Sequence, residues 1–240
     1  MIRWNLIFSL VFFFIVSRSD RAMGEGAPLS DRNNDGQIEV VAFGDSITYG
    51  VGDGTDPGQY VSGIGEVGDP RGYPLRLSSV LAVPVLNAGI PGEMVIGIPG
   101  PRAAGVVRFP EVVVGSTADL VIIFEGINDA RYDISATELE AAYQKMINVA
   151  RADNKNIAIA TLLPPTVQHG TLAPTAALYS ETIRGLGAMN GILVIDLEQG
   201  FLRDCPDLST CSYYNLPEGL HPNTVGYDAI TTMIATALQR

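Results

Sequence analysis

The run Leu120-Val121-Ile122-Ile123-Phe124, set between Asp119 and Glu125, constrains the fold of this chain more than any other stretch. Consecutive apolar residues without polar alternation describe a strand covered on both faces, as in a parallel sheet flanked by helices. Four further runs repeat the signal, at 38–43, 83–88, 157–163 and 192–196. Helical patterns stand between them. One covers about 73–82 and opens at Tyr73-Pro74, with proline near its first turn. A second, around 102–114, is weakened by Pro99, Pro101 and Pro110. A third follows the capping box Ser135-Ala136-Thr137-Glu138 and places Leu139, Ala142, Tyr143, Met146, Ile147 and Ala150 on one face. Two more lie near 174–188 and from about 223. Strands alternating with helices through five units predict an α/β fold of three layers, α/β/α, around a five-stranded, parallel, doubly wound sheet. No internal repeat or second core is visible, so residues 38–240 read as one domain behind a polar arm, 25–37.

The N-terminus reads as a targeting segment. Arg3 precedes the apolar stretch 6–16, which is too short for a bilayer span of roughly 20 residues. Small residues at Ser17 and Ser19, or at Ala22 and Gly24, suit a cleavage site, so residues 1–24 are expected to be a signal peptide. A secreted or periplasmic protein follows. Export makes a disulfide between Cys205 and Cys211 the expected state of the two cysteines. The formal net charge of −11 and the lack of any Lys/Arg cluster exclude a nucleic-acid footprint and disfavour anionic membranes. No stable membrane insertion is expected once the leader is gone. Asp31, Asn33, Asp35 and Gly36 match the first half of a calcium loop, but its twelfth position is Ala42. An Asx-rich turn into the first strand explains them as well, and no metal is assigned.

Gly44-Asp45-Ser46 follows the first strand, at the sheet edge where open α/β proteins carry their chemistry. A serine hydroxyl there needs a base, an orienting group and an oxyanion hole. The long Gly-, Asp- and Pro-rich stretch 51–72 leaves this turn and is expected to overhang it. No long apolar lid helix is evident in its sequence. Only His169 and His221 are available as a histidine base. Glu218 precedes His221 by three residues in a Gly-containing turn, a spacing that lets a carboxylate curl onto the imidazole. His169 has no carboxylate nearby in sequence and reads as a surface or rim residue. Asp45 reads as a turn residue bonding the backbone.

Four blocks, Gly44-Asp45-Ser46, Asn87 through Gly92, Gly126-Ile127-Asn128-Asp129 and Glu218-Gly219-Leu220-His221-Pro222-Asn223, resemble in order and spacing those of the GDSL-type, or SGNH, hydrolases. The resemblance spans about 38–240. It implies a flavodoxin-like sheet, a serine ester hydrolase without cofactor, and Ser46 as nucleophile. It further implies His221 as base, and an oxyanion hole from the Ser46 and Gly92 backbone N–H groups and the Asn128 side chain. The family usually has Asp where this chain has Glu218, one methylene longer. Substrates consistent with export are small-molecule or polysaccharide esters, such as acetylated carbohydrates, or aryl and lipid esters. Acyl transfer to a sugar uses the same residues. The other class to weigh is a non-catalytic carbohydrate- or surface-binding domain on a degenerate scaffold. The sequence leaves the oligomeric state open.

Overall fold

Five short strands, all parallel, form the centre of the molecule: β1 (Val40–Gly44), β2 (Val85–Gly89), β3 (Leu120–Phe124), β4 (Asn156–Ala160) and β5 (Leu193–Ile195). Their spatial order is β2-β1-β3-β4-β5. These elements come from a computed structural model, which describes residues 28–54, 57, 71–97 and 104–240. The leader expected over 1–24 and most of the stretch 51–72 lie outside the described residues, as do Pro99 and Pro101.

Helix α1 (Ser46–Tyr49) is a single turn after β1. It is followed by α2 (Gly72–Leu81), α3 (Gly105–Val113), α4 (Ala136–Ala152), α5 (Ala173–Asn190), α6 (Leu197–Asp204) and α7 (Thr224–Leu238). Helix α2 packs on α7, while α3, α4 and α5 pack in series, which gives two helical layers around the sheet. The strand order reverses between β1 and β3, and the crevice at their C-terminal ends is the ligand position of such folds.

The apolar runs form the core for the reason the sequence suggests. All five residues of β1, β3 and β4 are buried, so each strand is covered on both faces. The Ser135 capping box is complete, its side chain accepting from Glu138 N–H and the Glu138 carboxylate accepting in return. Pro110 lies inside α3 without breaking it. The fourth strand is shorter than the apolar run 157–163. Leu162 and Leu163 are buried but leave the ladder, because β5 is only three residues long and offers them no partner. Helix α6 was not expected. Its cap, Asp196 accepting from Gln199 N–H, is the Asp-x-x-Gln signal that announces it.

The cysteines form a Cys205–Cys211 disulfide that closes the turn after α6. Phe201 of α6 packs edge-on against Tyr213 and obliquely against Tyr214, so this clasp fixes the segment leading to His221. Within the turn at 31–36 Asp31 Oδ2 accepts from Gly36 N–H and Asn33 Oδ1 from Asp35 N–H, while Asp31 Oδ1 is buried without a hydrogen-bond partner. Asp119 then pins the turn to the sheet by accepting from Arg32, Asn33 and Glu39 N–H groups.

Candidate active site

The turn that carries Ser46 is built by close backbone approach. A Cβ on Gly44 would lie 2.0 Å from Phe124 O, so only glycine lets the ends of β1 and β3 meet. A Cβ on Gly89 would lie 2.2 Å from Tyr49 N, which seats α1 against the end of β2. Asp45 caps α1, its Oδ1 accepting from Ile47 N–H at 2.9 Å. Ser46 therefore stands at the first helical position, 6% exposed, above the switch point.

His221 reaches it from the far end of the chain. Its Nε2 lies 2.9 Å from Ser46 Oγ, and its Nδ1 lies 2.8 Å from Glu218 Oε1. The extra methylene of Glu218 is absorbed by the turn. Oε2 folds back to accept from the N–H groups of Leu220 and His221, each at 2.8 Å, while Oε1 faces the ring. Burial raises the Glu218 pKa, but the bond to His221, its charge and the two backbone N–H groups outweigh this and hold it at about 2. The loop is stitched on both sides. Asn215 donates to Gly52 O beyond α1, and Thr166 N–H donates to Gly219 O from the segment after β4. A Cβ on Gly219, whose φ is +76°, would lie 2.4 Å from Thr166 O.

Gly92 and Asn128 meet through Glu93. The Asn128 amide donates to Glu93 O at 2.8 Å, which leaves its second N–H for another acceptor. Gly92, next to Glu93, has a φ of +75°. Asp129 ties the same loop to the end of β3 by accepting from Val95 and Ile96 N–H groups. The Glu93 carboxylate pairs with Arg108, whose guanidinium lies 4.1 Å from the centre of the Phe43 ring. No local spacing marks that pair in advance. Beneath these groups burial raises Asp45 to about 7 and Asp129 to about 6. Glu125 is fully buried with neither carboxylate oxygen hydrogen-bonded, and burial with the nearby Glu93, Asp45 and Asp129 charges raises its pKa further. Among the described residues no group of His, Cys, Asp or Glu is arranged to hold a metal ion.

The structure thus brings Ser46, His221 and Glu218 into one hydrogen-bonded line and joins Gly92 to Asn128 at the same sheet edge. It also shows where His169 stands. That ring sits at the rim, but it has a carboxylate partner, its Nε2 lying 3.1 Å from Glu218 Oε1. A cleft of about 550 Å³ is lined by Glu218 together with Gly52, Asn215, Leu216 and Thr224.

A parallel α/β sheet with serine, imidazole and carboxylate in line at its switch point defines a class of protein, the serine hydrolases built on a doubly wound sheet. Residues 42–229 match the model of the GDSL-like lipase/acylhydrolase family, and the chain belongs to that family of carboxylic ester hydrolases. Solved structures agree on the fold. A lipase/acylhydrolase from Enterococcus faecalis superposes with a TM-score of 0.66 at 23% identity, over 85% of this chain and 96% of that one. A lipolytic G-D-S-L protein from Veillonella parvula gives 0.65 at 20% identity, over 85% and 99%. An acetyl xylan esterase gives 0.64 at 22% identity, over 83% and 99%. No curated protein sequence matches the chain at significance. No helix among the described residues is long and apolar enough to cross a membrane.

Proposed function

We propose that this chain is an exported esterase that removes short acyl groups, such as acetyl, from carbohydrate esters through an acyl-enzyme on Ser46. The observation that carries the reading is the unbroken path from Ser46 Oγ through His221 to Glu218, at 2.9 and 2.8 Å. Ser46 Oγ attacks the ester carbonyl and its proton passes to His221 Nε2. Glu218 holds the Nδ1–H tautomer and stabilises the imidazolium. The oxyanion collects N–H groups from Ser46, Gly92 and the free amide hydrogen of Asn128. The C–O bond then breaks and His221 returns the proton to the leaving alcohol. A water molecule, deprotonated by His221, attacks the acyl-Ser46 ester and releases the acid.

Export draws support from the Cys205–Cys211 disulfide and the leader-like residues 1–24. Acetyl preference draws support from the fold shared with an acetyl xylan esterase. A second reading, esters with larger apolar groups, is favoured by the exposed Tyr132, Val167 and Leu216. Each adjoins the rim formed by Arg131, Gln168 and Pro217. A degenerate, non-catalytic domain loses its only argument, because Glu218 makes the contact that its length put in question. The test is hydrolysis of p-nitrophenyl esters of increasing acyl length and of acetylated xylan. Acetate is expected to be cleaved fastest, and Ser46→Ala to lose turnover. A Ser46→Ala protein with wild-type rates refutes the mechanism.

A further inference from the structure

We propose that His169 is a positioning residue for Glu218, a second imidazole whose Nε2–H locks the carboxylate that orients His221. The inference rests on the triad reading above. Glu218 Oε1 faces two rings at once, His221 Nδ1 at 2.8 Å and His169 Nε2 at 3.1 Å. The other nitrogen of His169, Nδ1, lies 3.4 Å from the Arg131 guanidinium. A guanidinium only donates, so His169 Nδ1 is the acceptor and the proton sits on Nε2. That is the tautomer able to donate to Glu218. Burial lowers the pKa of His169, and the Arg131 and His221 charges push the same way against Glu218. The ring therefore acts as a neutral donor.

The arrangement answers the problem set by a longer acid. A glutamate side chain has one more torsion to fix than an aspartate, and holding it costs rotamer entropy. Two backbone N–H groups donate to Oε2, and Oε1 has His221 Nδ1 at 2.8 Å and His169 Nε2 at 3.1 Å, so four nitrogens surround the Glu218 carboxylate. It cannot swing away from His221 without breaking several bonds. The segment that delivers His169 is built for this. Val167 holds φ at +47°, a conformation β-branched residues avoid. Around it Thr166 N–H bonds Gly219 O, and His169 N–H bonds Thr166 O. Strain kept in such a turn is a mark of a functional constraint.

The experiment compares His169→Phe, which keeps ring bulk without nitrogens, with His169→Gln, which keeps an N–H donor. One hydrogen bond to a charged group corresponds to about a tenfold effect. His169→Phe is expected to lower kcat on p-nitrophenyl acetate about tenfold with KM unchanged, and His169→Gln to recover most of it. In a Glu218→Gln background the phenylalanine exchange is expected to add less than about twofold, since the group it acts through is gone. Should His169→Phe melt well below wild type, Arg131→Leu at an exposed position carries the comparison, with a smaller fall in kcat that also vanishes beside Glu218→Gln. Unchanged kcat, or an equal loss in both backgrounds, overturns the inference. Ser46→Ala separates the two levels. An inactive Ser46→Ala with an unaffected His169→Phe removes only the role of His169, whereas an active Ser46→Ala removes the triad.

Discussion

Exchange of Glu218 for glutamine tests how strongly the fold depends on this ionised carboxylate. In the folded chain Glu218 titrates at about 2, against 4.5 ordinarily. At about 1.36 kcal/mol per pKa unit, the ionised form contributes about 3 kcal/mol to stability. The folded pKa lies below the unfolded one, so this contribution is full above the unfolded pKa and is lost as pH falls through the folded value. Between pH 5 and pH 3 the loss amounts to about 2 kcal/mol. Glutamine does not titrate, so the variant is spared that part. The remaining carboxylates, Asp53 and Asp196 among them, titrate in both proteins and cancel in the difference. Urea unfolding of both proteins at the two pH values measures it. Wild type is expected to lose about 2 kcal/mol more than Glu218→Gln. Equal losses refute the electrostatic account, whatever happens to activity. Turnover of the variant is expected to fall by about 10³-fold, because an amide no longer imposes the Nδ1–H tautomer.

Three other outcomes follow from the geometry. Gly44→Ala forces a Cβ to within 2.0 Å of the Phe124 backbone oxygen and 2.3 Å of Thr48 Oγ1. It is expected to cost more than about 3 kcal/mol, and a melting temperature within two degrees of wild type would contradict the close approach. Glu125→Gln removes a buried carboxyl whose raised pKa makes its stability contribution full below the unfolded pKa of about 4.5 and lost as pH rises toward the folded value. The variant is expected to gain on wild type in melting temperature between pH 6 and 9, and parallel melting curves speak against it. Reduction of Cys205–Cys211, which are six residues apart, is expected to lower unfolding free energy by about 2 kcal/mol, read by urea denaturation with and without reductant.

Much of the fold was legible because its signal is local. An uninterrupted apolar run such as Leu120–Phe124 states its own burial, and Ser135 with Glu138 states where α4 begins. The ends of strands were less legible, since the ladder depends on the neighbour. The run 157–163 leaves the sheet where β5 stops. At the site, the blocks around Ser46, Gly92, Asn128 and His221 could be found because each lies at a strand end or before the last helix. His169 could not. Its partner Glu218 is brought near by the folding of α5, β5 and α6 between them, and no local spacing records that. Arg108 and Glu93 are closer in sequence, yet they pair across the loop between β2 and α3.

The separation of Ser46 and His221 by 175 positions has a consequence for how the chain is made. A ribosome completes β1, the Ser46 turn and the loops that carry Gly92 and Asn128 long before it reaches His221. A nascent chain, or one cut short ahead of His221, carries a hydroxyl that nothing activates. Under the proposed mechanism, hydrolysis begins only when the turn carrying His221 docks between Gly52 and Thr166. Ester cleavage is thus a readout of completed translation and folding.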